Sequence, residues 1–449
     1  MPSGESCCGS HDDAGAAGTT LAFHSVGRRA LHVGGEFRRP VSLGDSELGR
    51  TQRSGLVLRV HGEKGNQGMR VLWVFSYLSK QLELVAANLA ARRGITLEIM
   101  CPVIGDHPDV PASIPTTPLT CRNKLDFKSR RQIREKVRNG NFDIVHAYTS
   151  RNLANVLAAC RGLRPMPKVV GYRGTMNRLR LLDPANWITF WHPGISNIIC
   201  VCDATNRALQ ESGIDPAKLT TVWEGCDPKN IPALPRSARA QFNIPDDAFV
   251  VGMVANMRPV KGIDLLLRAA IETADLSKLY LLLIGRDEDP RIAKLAADRR
   301  IADRVRLAGP LSVGGQYASL MDVYAAPSRM EGLSMSIMEA MIQGACPLVS
   351  NVGGIPELVR DQADGIVVPS EDVSALAAGM RLLHDEPQRR KAMAESARQR
   401  ILNTFSIDRW SHRLVDSYES ALGESGRNHG SVSRAMVSTP ATATEPRAA

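Results

Sequence analysis

Aromatic side chains make up only 5% of the 449 residues, and no stretch approaches the roughly 18 uninterrupted apolar residues that a membrane span needs. Any membrane contact is therefore expected to be peripheral. The nine cysteines, at 7, 8, 101, 121, 160, 200, 202, 226 and 346, include no CxxC pair and no histidines at zinc spacing. An odd, scattered set of this kind reads as a reduced, cytoplasmic protein with no structural metal. The N-terminus, Met1-Pro2-Ser3-Gly4-Glu5, lacks a basic segment followed by an apolar run and does not read as a signal peptide. Acidic residues are scarce in one place above all. Residues 122–180 carry 15 Lys and Arg against Asp126, Glu135 and Asp143 alone, whereas residues 236–449 balance at 26 of each sign. The net charge of +10 thus belongs to the middle of the chain and asks for an anionic partner there. No recognised nucleic-acid module or interleaved basic and aromatic platform accompanies it, so nucleic acid is not expected.

Hydrophobic side chains are 43% of the total, enough for two or three domains with real cores. Residues 1–68 are rich in Gly, Ser and single charges without sustained periodicity, and with 423–449 they read as disordered tails. Between them, short apolar runs alternate with amphipathic stretches. Met69–Phe75, Ile95–Cys101, Asp143–His146, Lys168–Tyr172 and Asn197–Val201 read as strands, and Leu82–Arg93 and Asn152–Ala159 as helices. Three prolines in Pro228-Lys-Asn-Ile-Pro-Ala-Leu-Pro235 interrupt the rhythm, which restarts at Phe249–Ala255. The expectation is α/β: a domain over 69–235, a second over 236–405, and a helix over 406–422 packing back on the first. In such sheets ligands sit at the carboxyl ends of the strands.

Two segments carry chemistry. In Pro327-Ser-Arg-Met-Glu331-Gly332-Leu-Ser-Met-Ser-Ile-Met-Glu339, two carboxylates eight residues apart flank the opening of a helix, whose free amides suit an anion. In Val254-Ala-Asn-Met-Arg258-Pro-Val-Lys261-Gly262, two cations at a strand-to-helix turn suit a diphosphate, arginine as a fork and lysine as a point charge. Taken singly, each is equally consistent with a solvated loop. Gly285, after the strand Tyr280–Ile284, is either a nucleotide-side turn or a plain strand-ending glycine. Trp187, Phe190 and Trp191 fall at helical spacing beside Arg178 and Arg180, either a membrane or acceptor surface or a core face.

The combination of Glu331-x7-Glu339-Ala340, Arg258 with Lys261, Val352-Gly-Gly-Ile-Pro-Glu-Leu-Val359, Asp143-Ile-Val-His146, Ile199-Cys-Val-Cys-Asp-Ala-Thr205 and Val222-Trp-Glu-Gly-Cys-Asp227 resembles the glycosyltransferase group 1 family (glycosyltransferase family 4) over residues 69–422. The resemblance implies GT-B architecture, two doubly wound Rossmann-like domains facing across a cleft. It also implies a retaining, metal-independent transfer of sugar from a nucleotide-diphosphate donor, with no cofactor, to a glycan or lipid-linked acceptor in polysaccharide synthesis. Carried over, Arg258 and Lys261 would bind the diphosphate and Glu331 the sugar hydroxyls. Glu339 would take the ribose, and the backbone of Gly332, Leu333, Ser334 and Met335 would face the donor beside Gly285. On the acceptor side, Arg173 would hold a phosphate or carboxylate, and His146 is placed at a strand end, either facing the cleft or serving as a structural hydrogen-bonder. The pattern departs from the family in two places: Phe75-Ser-Tyr-Leu-Ser-Lys80 has no glycine after the first strand, and Arg173 stands where many members have histidine. Other enzymes of the same fold, an epimerase or a phosphorylase, and a noncatalytic nucleotide-sugar or polyanion binder are the rival readings.

Overall fold

A computed structural model describes residues 68–102, 110–312 and 314–423. The expected tails fall almost wholly outside them. The first half runs β1 (Met69–Val74), α1 (Lys80–Ala90), β2 (Ile95–Cys101), β3 (Thr116–Pro118), α2 (Phe127–Gly140), β4 (Ile144–Ala147), α3 (Ser150–Cys160), β5 (Lys168–Arg173), α4 (Pro184–Trp187), β6 (Ile195–Cys200), α5 (Asp203–Gln210) and β7 (Leu219–Thr221). The second half runs β8 (Phe249–Val254), α6 (Ile263–Glu272), β9 (Leu279–Ile284), α7 (Pro290–Ala296), β10 (Val305–Leu307), β11 (Val323–Ala326), α8 (Met335–Ile342), β12 (Cys346–Ser350), α9 (Ile355–Leu358), β13 (Ile366–Val368), α10 (Val373–Asp385) and α11 (Pro387–Thr404). A last helix, α12 (Ile407–Leu422), follows.

The strands form two parallel sheets, ordered β3-β2-β1-β4-β5-β6-β7 and β10-β9-β8-β11-β12-β13. Both are doubly wound. In the first the winding reverses between β1 and β4, and in the second between β8 and β11, which are the places where such sheets open a ligand crevice. Continuous apolar runs such as Val71 to Val74 and Leu281 to Ile284 are buried throughout because helices cover both faces. Side-chain caps at Ser79, Asp126, Thr149 and Ser406 fix where α1, α2, α3 and α12 begin. Three-residue strands such as β7 and β13 carry too short a run to be read from periodicity. No described helix is long and apolar enough to cross a membrane.

α12 crosses back to the first sheet. Ile407, Trp410, Leu414 and Tyr418 share one buried cluster with Val71, Trp73 and Leu89. This return corrects the expectation for His146. Its strand register places it beside Trp73, and α12 covers that face, so His146 is fully buried rather than turned to the cleft. Its Nδ1 lies 2.7 Å from the Tyr418 hydroxyl, which accepts from Trp73 Nε1 at 2.8 Å. Burial lowers its pKa to about 3, so the ring is neutral. The expected aromatic face of residues 187–191 also divides. The helix stops at Trp187, Phe190 is buried beneath the Arg173 guanidinium, and Trp187 stays half exposed against Trp191. The seven described cysteines are free and buried.

Candidate functional site

The second sheet's switch point carries the two sequence motifs. After β8 the chain makes a single 3-10 turn, Pro259–Lys261, and enters α6 through Gly262 at φ 70°. A Cβ on Gly262 would lie 1.9 Å from the Pro327 carbonyl oxygen, so only glycine lets this turn sit against the loop after β11. Across that contact Lys261 Nζ donates to Glu331 Oε2 at 2.6 Å, both side chains being about 15% exposed. Ser328 Oγ reaches the same carboxylate oxygen at 3.4 Å. The Arg258 side chain is exposed, with no hydrogen bond or ion pair among the described residues. One cation is thus held on a carboxylate and the other left open.

A residue that sequence reasoning passed over locks the two loops together. Arg329 donates through its backbone N–H to Val260 O at 2.8 Å and through Nη1 to Pro259 O at 2.5 Å. It also grips the buried Asp264 carboxylate at 2.7 and 2.9 Å. Desolvation is the largest influence on Asp264 and pushes its pKa up. The hydrogen bonds and charge of Arg329, with Arg291, outweigh it and leave the carboxyl below its ordinary value. Arg329 stands inside one motif and Asp264 just past the other, but nothing local says that they meet.

Glu339 lies on the second turn of α8. Burial is the main cause that raises its pKa to about 7, opposed by Gln81 Nε2, which donates to Glu339 Oε1 at 3.3 Å across the cleft. A Cβ at Gly315 would stand 2.6 Å from Glu339 Oε2. Gly332, Leu333 and Ser334 are buried in the turn into α8, Met335 opens the helix, and no side chain caps its amides. Gly285, at φ 147°, brings the end of β9 against Ala255, where a Cβ would lie 1.9 Å from the carbonyl oxygen. Among the described residues no group of three His, Cys, Asp or Glu side chains is placed to hold a metal ion. Among the described residues, Arg258, Lys261 and Arg329 bring positive charge to these loops, and that of Arg329 is paired with Asp264 and Glu371.

The first domain meets these loops directly. The Gly174 carbonyl presses on Gly332, and Gly353, at φ 55°, could carry no Cβ without meeting Glu331 O at 1.7 Å. Glu357 caps α5 from the opposite domain, accepting from Asp203 N and Ala204 N at 2.8 Å each and from Trp223 Nε1 at 2.9 Å. Arg173 turns back on its own loop: Nε donates to Thr175 O at 3.1 Å and Nη2 to Asn177 O. It is thereby partly committed before any anion arrives. Beside it Tyr172 donates to Glu224 Oε1 at 2.5 Å. Desolvation raises the Glu224 pKa more than this bond lowers it. Of the expected residues, Arg258, Lys261, Glu331, Gly332 and Glu339 are gathered around the second switch point, Arg173 borders them, and His146 does not. Gln81, Glu224, Asp264, Gly315, Arg329 and Glu357 were not foreseen. For Glu357 the signal was its place inside Val352–Val359.

Residues 236–400 match the family model described as glycosyl transferases group 1, and residues 81–230 match Glycosyltransferase Family 4. The D-inositol 3-phosphate glycosyltransferase 1 of Catenulispora acidiphila is 28% identical over 316 residues, covering 64% of this chain and 74% of that protein. The D-inositol 3-phosphate glycosyltransferase of Mycobacterium tuberculosis is 30% identical over 238 residues, covering 51% and 49%. Against the second, the chain spans about half of its relative's length. Among solved structures, Anabaena Alr3699/HepE in complex with UDP superposes with a TM-score of 0.67 at 17% identity, covering 78% of this chain and all of that one. A glycosyltransferase from Rickettsia africae gives 0.69 at 18% identity, covering 80% and all of that chain. Two family models that tile both halves of the described chain, on a pair of facing doubly wound sheets, make the conclusion plain: the chain is a glycosyltransferase of GT-B architecture and belongs to the glycosyltransferase group 1 family, family 4.

Proposed function

We propose that the chain transfers a sugar from a nucleotide-diphosphate donor to a glycan or lipid-linked acceptor, with retention at the anomeric carbon and without a metal ion. The residues from 236 to 405 take the donor and those from 69 to 235 the acceptor. The observation that carries this reading is the Lys261–Glu331 pair at 2.6 Å with Arg258 open beside it. Lys261 and Arg258 receive the diphosphate, and Glu331, freed from part of its partner's charge, accepts from the sugar hydroxyls. The bond from the anomeric carbon to the diphosphate oxygen breaks and the acceptor oxygen bonds to that carbon on the same face. The acceptor proton passes to the departing phosphate oxygen. Negative charge grows on that oxygen, and preplaced cations there do work that Mg²⁺ does elsewhere. Glu339 accepts from the ribose, the backbone of Gly332–Met335 faces the donor, and Gly285 lines the nucleotide side.

The test is release of nucleotide by purified protein from UDP-glucose and other nucleotide sugars, with D-inositol 3-phosphate first among the acceptors because the relatives carry that name. Loss of one fixed donor to developing charge costs about 10² to 10³ in rate. Lys261→Ala and Glu331→Ala are therefore expected to fall by that much with folding intact, and unchanged turnover overturns the site. Isomerised donor without an acceptor would instead make the protein an epimerase.

We read the exposed Leu181, Leu182 and Trp187, beside Arg178 and Arg180, as a peripheral contact with an anionic membrane. Binding to phosphatidylglycerol vesicles, weakened by salt and by Leu182→Ser, supports it. No binding at low salt removes it.

A further inference from the structure

The second sheet has a feature at the end that the sugar-transfer chemistry does not use. Asp322 leads into β11 and Gly344 into β12, so both stand at the amino ends of parallel strands, whereas the donor loops leave the carboxyl ends. Between these residues and the first half of α11 lies a cavity of about 330 Å³. Arg236 and Arg239 line it from the segment before β8, and Arg390 and Lys391 line it from α11. Gly344, at φ 84°, borders open space, since a Cβ there would meet nothing within 4 Å. Four of the lining side chains are cations, and Asp322 is the one carboxylate. We infer that this cavity binds a small oligophosphate anion, at a site separate from the donor loops.

The single acid is already answered from behind. Arg239 is 2% exposed, and its Nη2 donates to Asp322 Oδ2 at 2.9 Å, an oxygen that also accepts from Val250 N at 2.9 Å. The rest of that guanidinium is held by the Leu320 and Ala248 carbonyls, each at 2.9 Å. This buried pair forms a floor whose charges cancel. Arg236, Arg390 and Lys391 remain. Arg236 Nε donates to Asp246 O at 2.8 Å, and its Nη2 lies 3.5 Å from Ala248 O and 3.6 Å from Asp322 Oδ1, which leaves Nη1 without a partner among the described residues. Arg390 donates through Nη1 to Leu383 O and lies over the Phe249 ring at 5.0 Å, so its Nε and Nη2 are unengaged among the described residues. Lys391 is exposed, and its side chain has no hydrogen bond or ion pair among the described residues. The end of α8 at Gln343 offers these cations about half a negative charge, too little to balance three of them. Like charges gathered around one concavity repel, and an anion seated among them turns that repulsion into attraction.

The lining also says what kind of anion fits. It contains no aromatic side chain, and its apolar side chains are Met321 and Ala394, so a base or sugar ring would find no face to stack on. Recognition must come from charge and donors. The open donors come from opposite walls, two guanidinium groups and one ammonium, and a chain of phosphates presents several anionic oxygens that can each take a separate charge-assisted bond. A single carboxylate would leave at least one of the cations uncompensated.

The experiment titrates the full chain with inorganic pyrophosphate by calorimetry at fixed ionic strength, with UDP present so that the donor loops are occupied. Pyrophosphate is expected to bind under these conditions. Lys391→Gln and Arg236→Gln should each weaken it roughly ten- to hundredfold while UDP affinity stays as in the unaltered chain, as fits loss of one charged hydrogen bond. Lys391 holds nothing else in place, so its variant should keep the parent's thermal midpoint. Arg398→Gln, exposed on the same helix but outside the cavity, should change pyrophosphate affinity by less than about twofold, because salt screens a charge at that distance. Absence of binding, or binding that both cavity variants retain, overturns the inference. So does an equal loss in Arg398→Gln, which would make the attraction a diffuse surface effect, and so does pyrophosphate that UDP displaces completely, which would belong to the donor loops. Failure of UDP itself to bind would instead count against the transferase site, and the comparison of the parent with Lys391→Gln would still report on the cavity.

Discussion

Replacing Arg329 by methionine leaves the Asp264 carboxylate, 3% exposed, with Arg291 Nη1 at 3.9 Å as its one remaining ion-pair partner among the described residues. Removing one member of a buried pair costs about 3–5 kcal/mol, because the other charge is left uncompensated. Arg329 is itself 25% exposed, so the lower end, about 3 kcal/mol, is expected at pH 7.5. Two further readings follow. In the variant, burial of Asp264 is opposed by Arg291 and a backbone hydrogen bond but no longer by Arg329, so its pKa rises and the folded variant takes up a proton at a higher pH than the folded parent does. The penalty must then narrow as the pH is lowered to about 5. A second change, Asp264→Leu, removes the stranded charge and should recover most of the stability. It cannot restore the bond from Arg329 to the Pro259 carbonyl, which anchors the turn bearing Arg258 and Lys261. UDP affinity should stay about tenfold weak in the doubly altered chain, since roughly one charged hydrogen bond's worth of positioning is lost. Urea unfolding at the two pH values and UDP titration measure all three. A penalty under about 1 kcal/mol, unchanged by pH and by Asp264→Leu, would place Arg329 among ordinary surface pairs and refute the clamp.

Gly262→Ala places a Cβ at φ 70° and 1.9 Å from Pro327 O. It should cost more than the roughly 1–2 kcal/mol of left-handed strain alone, and a thermal midpoint equal to the parent's disproves the close contact. In the proposed ribose role, Glu339, raised to about 7, accepts more strongly as the carboxylate than as the neutral acid, so UDP-glucose affinity should climb up to about tenfold between about pH 6 and pH 8. Glu339→Gln should flatten that rise, and a parental profile that is already flat speaks against the ribose role. The same raised pKa means that the folded state binds more protons than the unfolded chain between pH 4.5 and about 7, so this group's contribution to stability falls as pH rises through that window. His146 has the opposite sign. Its pKa is depressed from 6.5 to about 3, so the unfolded chain takes the proton first and stability is lost as pH falls below 6.5. His146→Gln should lessen that acid sensitivity without altering UDP affinity, and a changed UDP affinity would return His146 to the cleft.

Local chemistry made much of this protein readable. Arg258 and Lys261 stand three residues apart at a strand end, and Glu331 and Glu339 flank a helix start, so their order along the chain already carried the family and the α/β class. Parallel strands buried on both faces write themselves as unbroken apolar runs, and that pattern does not depend on which strands become neighbours. What the sequence could not hold is which distant segment covers each face. His146 ends a strand and reads as a cleft residue until α12, 272 positions further on, lays Tyr418 over it. Arg173 reads as a free guanidinium until its loop folds back to supply carbonyl acceptors. Arg329 with Asp264, Gln81 with Glu339 and Glu357 with α5 are pairs joined across 65, 258 and more than 150 residues, and their burial comes only from packing. The charge excess of residues 122–180 was plain in composition. That Arg122, Lys124 and Arg151 line one cavity was decided by the sheet, because the reversal between β1 and β4 brings three separate loops to the same edge. Residue type and short spacing set what chemistry is available, and the long-range pairing of strands and helices set which groups lose water and meet.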